Sequence, residues 1–264
     1  MKISPASASR GPPALTVARY TAVEALRSGL PWLAAACVLA VLGLAGFLSQ
    51  VAITEATALQ ASVSGALLRA CAVFLVAAHV VASAAREMND KGLELALALP
   101  ISRPAYYLGK LLGFACIGAL LSSLFALPLL FWAKPLDLAA WWSSLALELA
   151  LVAAAALFFA SALVQTVAAI AATAGLYLLG RSIAAIQAIA GGPLAGDSLA
   201  ENAMRWIVDA LALLLPRLDA VTRSDWLLYG APPTGEFAPA LAGVGLYLVL
   251  LTAAGLFDFS RKNL

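Results

Sequence analysis

Apolar residues fall in six long runs along the chain, separated by shorter segments that hold most of the polar and charged residues. A helix that crosses the hydrocarbon core of a bilayer needs about 20 mostly apolar residues. The pattern therefore predicts six membrane-spanning helices, at 30–48, 66–85, 108–132, 144–164, 167–188 and 240–257. Gln165 and Thr166 form the polar break between the fourth and fifth runs and predict a tight turn there.

Two other segments have the pattern of helices that lie on a membrane rather than across it. In 14–28, apolar residues such as Leu15 and Leu26 share one helical face and polar residues share another. This predicts a basic amphipathic elbow helix at the membrane interface. Residues 199–215 are apolar but include three charged side chains, and the run stops at Pro216. We expect a short helix there, in the outer leaflet, before the last span.

Composition agrees with this pattern. Of the 264 residues, 63% are apolar and 11% are charged, whereas soluble domains have about 45–50% and about 25%. These values exclude a water-soluble globule and a disordered chain. The three cysteines lie in apolar runs without CxxC spacing, so we expect neither disulfides nor a zinc site. The chain is predicted to be an all-α integral membrane protein with one domain, 1–264.

Lysine and arginine predict the orientation, because short cytoplasmic loops are enriched in them. Residues 1–29, 85–110 and 258–264 contain ten of the sixteen basic residues, whereas 49–65 contains none. The outer segment, 189–239, has more carboxylates than basic residues. Six spans with these loops place both termini in the cytoplasm and the protein in the inner (plasma) membrane. An aromatic belt at the outer face is expected to include Trp132, Trp141 and Trp142.

Charged residues within the spans are candidate functional residues, because unpaired charge is costly in hydrocarbon. Arg69, Glu148 and Arg181 are expected toward the outer leaflet, on the second, fourth and fifth spans. They either pair inside the bundle or extend to the outer interface, and the sequence favours neither arrangement. His79 is the sole histidine and has no nearby Cys, Asp or Glu, so a metal site is not expected.

The loop after the second span has the most informative sequence, KGLELALALPISRPAYYLGKLLG at 91–113. It resembles the signature of ABC-2-type transporter permeases, in which an acidic, leucine-rich stretch leads through LPISR to a YLLGK start of the third helix. Leu93 stands where these permeases usually have threonine. The segment LLPRLDAVTRSDWLLYG at 214–230 loosely resembles the permease branch associated with multicopper-enzyme maturation.

The resemblance implies the membrane subunit of an ABC transporter, an exporter in our interpretation. It implies two permease copies, a homodimer in our interpretation, within membrane lipid, and a separate ATPase subunit that binds ATP. The cytoplasmic loop 86–105 would hold a coupling helix at 86–100 that docks into the ATPase. The ATPase-coupling residues are then expected to be Glu87, Asp90, Glu94, Leu97, Pro100 and Arg103.

The sequence predicts no catalytic, cofactor-binding or metal-binding residue in this chain. It has no G-x-x-x-x-G-K-[ST] motif that could bind a nucleotide, and no nucleic-acid partner is expected. Two other classes of function stay open: an ATP-independent membrane scaffold or assembly factor, and an ion-coupled carrier. The sequence disfavours a carrier because we expect no carboxylate at the middle of a span, where ion sites are usually built.

Overall fold

A computed structural model describes residues 12–51, 56–89, 101–163, 165–192 and 199–261. Within these ranges the regular structure is helical and contains no β-strand. The α-helices are α1 Pro13–Arg27, α2 Leu30–Val51, α3 Ala56–Asn89, α4 Arg103–Leu129, α5 Pro135–Ala162, α6 Thr166–Ala190, α7 Leu199–Leu214, α8 Trp226–Tyr229 and α9 Thr234–Arg261. A 3₁₀ turn at Leu218–Ala220 lies between α7 and α8.

Six of these helices are long and apolar enough to cross a membrane: α2, α3, α4, α5, α6 and α9. This confirms the predicted all-α fold with six candidate spans. Most of the helices extend past the predicted runs, and α3 has 34 residues. At 1.5 Å per residue α3 is about 50 Å long, which exceeds the hydrocarbon thickness of about 30 Å. The predicted break after α5 is present, because Leu163 and Gln165 have extended backbone angles and α6 begins at Thr166.

The centre of the bundle is α5, which packs against α3, α4, α6 and α9. Its inward surface combines small and branched residues, including the buried alanines 153–156 and the fully buried Leu145 and Leu149. Small side chains allow neighbouring helix backbones to approach closely, which favours packing within lipid. By contrast, α2 and α9 leave most of their apolar side chains outside the bundle.

The amphipathic segment forms helix α1, and it packs against α4. Its inward face consists of Ala18, Thr21 and Ala25, which are buried. Leu15 and Leu26 are exposed on the remainder of its surface. We define the loop end of the bundle as the end where α3 stops and α4 begins, and α1 lies at this end. Its placement at a membrane interface stays a prediction.

The outer segment contains α7, the 3₁₀ turn and α8, as its mixture of charge and apolar residues predicts. Helix α7 ends at Leu214, two residues before Pro216. It is attached to α6 by a hydrogen bond in which Gln187 Nε2 donates to Asp209 Oδ1 at 2.9 Å. Trp206 and Leu213 are strongly exposed on α7. The short helices before the last span therefore exist, whereas their depth in a membrane stays a prediction.

Candidate functional site

Arg69 of α3 and Glu148 of α5 form an ion pair inside the bundle. Arg69 Nη1 donates to Glu148 Oε2 at 2.5 Å, and neither side chain has any exposed surface. Arg69 Nη2 donates to Ser144 Oγ at 2.9 Å and to the Trp141 carbonyl oxygen at 3.4 Å. The two charges thus compensate each other in surroundings that offer few other polar groups.

The second carboxylate oxygen of Glu148 extends the contact to α6. Tyr177 donates its hydroxyl proton to Glu148 Oε1 at 2.8 Å. Arg181 Nη1 in turn donates to the Tyr177 hydroxyl oxygen at 2.9 Å. We call Arg69, Glu148, Tyr177 and Arg181 the buried cluster, in which Tyr177 and Arg181 are partly exposed; it joins α3, α5 and α6. Of the two arrangements that the sequence left open, the structure has the paired one, and the functional role of the cluster stays a prediction.

Glu148 lies at the middle of α5, because this helix begins at Pro135 rather than at 144. The depth of Glu148 in the bilayer, expected toward the outer leaflet and away from mid-bilayer, stays a prediction. The argument against an ion-coupled carrier depends on that depth. Glu148 nevertheless accepts from both Arg69 and Tyr177, so both carboxylate oxygens are engaged.

Trp141 is placed differently from its prediction. The expected position in an outer aromatic belt is wrong, because this side chain is fully buried. The guanidinium carbon of Arg69 lies 5.3 Å from the centre of the Trp141 ring, a distance typical of a cation–π contact. Trp141, Ser144 and Glu148 are spaced three and four residues apart, so they share one helix face. That spacing, and the i, i+4 spacing of Tyr177 and Arg181, are the signals by which these partners could have been found.

A second polar group lies at the loop end. Glu87, the first predicted ATPase-coupling residue, is on the last turn of α3 and forms an ion pair with Lys110 of α4. Tyr106 donates its hydroxyl proton to Glu87 Oε2 at 2.6 Å. The segments on either side of the loop are thus connected directly. Of the other predicted coupling residues, Asp90, Glu94, Leu97 and Pro100 lie outside the described residues.

Helix α1 joins the same group through Glu24. Ser83 Oγ donates to Glu24 Oε1 at 3.1 Å, Arg86 Nη2 lies 3.4 Å from this oxygen, and Lys110 Nζ lies 3.8 Å from Glu24 Oε2. We call Glu24, Ser83, Arg86, Glu87, Tyr106 and Lys110 the loop-end network. Arg103, the last predicted coupling residue, is outside this network and donates to the Ser260 carbonyl oxygen of α9 at 3.5 Å.

Two glycines hold α1 close to α4. A Cβ at Gly109 would lie 2.6 Å from the Ala14 carbonyl oxygen, and one at Gly113 would lie 2.8 Å from the Ala18 carbonyl oxygen. Because the obstructing atoms belong to the α1 backbone, neither position accepts a side chain unless α1 moves. The spacing of these glycines is a packing motif in membrane helices, and its partner here is α1.

His79 lies beside the loop-end network, where its ring contacts Phe114 edge-on at 6.1 Å between ring centres. Its Nε2 is buried without a hydrogen-bond partner. Among the residues that the structure describes, no group of three histidine, cysteine or acidic residues could hold a metal ion. In the part of the chain that the structure describes, the buried cluster and the loop-end network thus consist of ion pairs and hydrogen bonds between helices. They are not arranged as sets of metal ligands.

Comparison with known families supplies a match for most of the chain. The model of a family described as ABC-2 family transporter protein matches residues 80–264. This range begins within α3 and includes Glu87, the loop, and α4 through α9. No curated protein matches the chain. The resemblance of 214–230 to the multicopper-maturation branch stays a prediction.

Proposed function

Because the chain belongs to the ABC-2 family of transporter proteins, we propose that this multi-pass membrane permease subunit acts with a separate ATPase subunit in an exporter. Such permeases are transport components without catalytic residues of their own. In this proposal the partner binds and hydrolyses ATP, and the permease moves a substrate across the inner membrane. Both termini and the loop 86–105 face the cytoplasm, which the distribution of lysine and arginine supports.

The observation that carries the proposal is the loop-end network. Glu87 lies in the last turn of α3, Tyr106 and Lys110 lie near the start of α4, and both of these side chains contact Glu87. Glu24 adds α1 to the same group. A displacement of the loop by an ATPase would therefore reach α1, α3 and α4 together, as rigid shear motions of packed helices require.

In this proposal, α3 transmits the displacement of the loop into the bundle. This helix extends from the loop end, at Glu87, to Arg69 of the buried cluster. Arg69 is paired with α5, and Glu148 of α5 is bonded to Tyr177 of α6. Polar contacts in hydrocarbon are directional, so they favour discrete arrangements of the three helices over gradual sliding. The buried cluster would thus set which arrangement α3, α5 and α6 adopt.

A second permease copy completes the proposed transporter. The most exposed spanning helices are α2 and α9. In the most apolar part of each helix, 17% of the residues of α2 and 11% of those of α9 are buried. Trp32 and Phe47 of α2 are examples of large side chains that no other part of the described chain covers. In the proposal, a homodimer contact covers part of this apolar surface and lipid covers the remainder. Alternating exposure of the path between the two copies would then move the substrate.

Co-purification of this permease with an ABC ATPase from the same cell tests the proposal. Glu94→Lys and Leu97→Glu change the proposed docking helix and are expected to reduce ATPase recruitment severely, because few residues usually dominate an interface. Glu236→Lys is the matched control, since Glu236 is exposed on the outer side of the predicted topology. If both loop variants recruit the ATPase as well as the parent protein does, the loop is only a connector and the proposed coupling is wrong.

A further inference from the structure

We propose that the groove between α1 and α4 is a binding site for an anionic phospholipid. The headgroup would contact Arg19 and Arg27 of α1, and an acyl chain would lie along the exposed surface of α4. This inference does not depend on ATP hydrolysis or on the substrate of the transporter. It concerns the face of α1 that bears these two arginines, rather than the acidic Glu24 of the loop-end network.

The groove has a volume of about 800 Å³ and opens to the outside of the bundle. Leu15, Tyr20 and Val23 line it from α1, and Cys116 lines it from α4. The lining is thus mixed, because Thr16 and both arginines lie beside these apolar side chains. Ligand sites of this volume usually combine apolar side chains with a few polar or charged groups.

The charge of the groove favours an anion. Arg19 and Arg27 are exposed, and neither forms an ion pair or a side-chain hydrogen bond with any residue that the structure describes. Glu24 is the sole acidic residue in 1–29, and it is engaged by Ser83, Arg86 and Lys110. Among the described residues that line it, the groove therefore has two cationic side chains and no carboxylate, which complements a phosphodiester.

An apolar stripe on α4 continues from the groove. Leu112, Cys116 and Leu120 are spaced four residues apart and are all exposed. Residues with this spacing lie above one another on one helix face. The stripe is about 12 Å long at 1.5 Å per residue, so it accommodates a large part of an acyl chain. A protein partner that binds through charge alone would not need this apolar stripe.

In the predicted topology, α1 lies at the depth in the membrane where lipid headgroups are found. Glu24 contacts Arg86 and Lys110, which are near the loop-end termini of α3 and α4, and the close contacts at Gly109 and Gly113 hold α1 at this level. In the predicted topology this is the cytoplasmic interface, where anionic lipids attract basic segments with about 1 kcal/mol per lysine or arginine. The occupant we infer is thus a lipid of the inner leaflet.

The test measures lipid retained by the purified full-length protein. The detergent-solubilised protein is incubated with equal amounts of phosphatidylglycerol and phosphatidylcholine, and the lipids that remain bound are quantified by mass spectrometry. We expect preferential retention of phosphatidylglycerol. Arg19→Gln combined with Arg27→Gln should weaken its apparent affinity by about 30-fold, the equivalent of two such charges.

Three further variants make the outcome decisive. Arg19→Lys with Arg27→Lys keeps the charge and should keep the preference, and Arg223→Gln, an exposed arginine of the outer segment, should also keep it. Cys116→Trp narrows the groove without a change of charge and should reduce retention. Equal retention of both lipids by the parent protein, or unchanged retention in the glutamine variant, overturns the proposal. If the glutamine variant loses ATPase recruitment but retains lipid as the parent protein does, the proposal is overturned as well. The groove is then a contact with a protein.

Discussion

The side chains of Arg69 and Glu148 lie where no water reaches their charges. A buried ion pair is costly to desolvate, so its presence says little about net stability, but the loss of one partner leaves the other charge uncompensated. Serine and tyrosine hydroxyl groups satisfy further hydrogen bonds on both members. The pair therefore acts as a constraint on how α3 and α5 are arranged.

Substitution of one member of this pair should strongly destabilise the protein. We expect Arg69→Met or Glu148→Gln to lower the free energy of unfolding by about 3–5 kcal/mol, the usual effect of breaking a buried pair. The double variant should be less destabilised than the sum of the two single variants. Thermal unfolding in detergent measures this, with Arg223→Gln as the exposed control. Additive effects would contradict the direct pairing.

A substitution at Tyr177 tests the contact with α6 separately from the ion pair between Arg69 and Glu148. Tyr177→Phe removes the hydroxyl group that bonds both Glu148 and Arg181 and keeps the ring. Because hydrogen bonds to charged groups contribute about 1.5–3 kcal/mol, we expect a loss of stability in this range. Tyr229→Phe is a suitable comparison, since Tyr229 is 85% exposed, and it should unfold at the parental temperature. A parental unfolding temperature for Tyr177→Phe would mean that these hydrogen bonds are not formed.

The contact between α1 and α4 depends on the absence of side chains at two positions. Gly109→Leu or Gly113→Leu should displace α1, because the added atoms would collide with its backbone. The readout is the reactivity of a cysteine at Thr21, which is 2% exposed, in a background without the native cysteines. This cysteine should become reactive in both leucine variants. Gly175→Leu is the control, since a Cβ at Gly175 meets no atom within 4 Å.

The loop-end network allows docking and transmission to be distinguished. Glu87→Gln retains the size of the side chain but removes the ion pair with Lys110. If α3 transmits the movement of the loop, this variant should recruit the ATPase normally yet lose most of the transport-coupled ATPase activity in proteoliposomes. Glu94→Lys should instead fail at recruitment. Normal coupling in the Glu87 variant would show that the network has only a structural role.

The arrangement of the six spans predicts which residues are accessible from each side. Thr57 and Lys134 lie next to the ends of α3 and α5 that are opposite to the loop end, and both are exposed. Cysteines there, and at Thr234, should react with a membrane-impermeant thiol reagent in intact cells. Cysteines at Lys91 and Lys262 should react only after the cells are opened. Reaction at Lys91 in sealed cells would reverse the proposed orientation.

The number and order of the spanning helices could be predicted because length and hydropathy are local properties of the chain. Each run of about 20 apolar residues must satisfy its backbone hydrogen bonds within itself in lipid, and the helix is the structure that does so. The same reasoning located the turn at Gln165 and the helix at α7. The sequence also restricted Arg69, Glu148 and Arg181 to spans, where a charge requires a partner or an exit to the interface.

Which faces of these helices meet was decided by the tertiary structure alone. In a soluble protein a polar face marks the outside of a helix, but lipid is as apolar as a protein core, so the spans of this chain are apolar on nearly all sides. Their hydropathy therefore could not indicate that Trp141 points inward, or that Arg69 meets Glu148, 79 positions later. Nor could it identify α1 as the partner of Gly109 and Gly113. These contacts join residues that are distant in the chain, and only close packing of the folded bundle selects them.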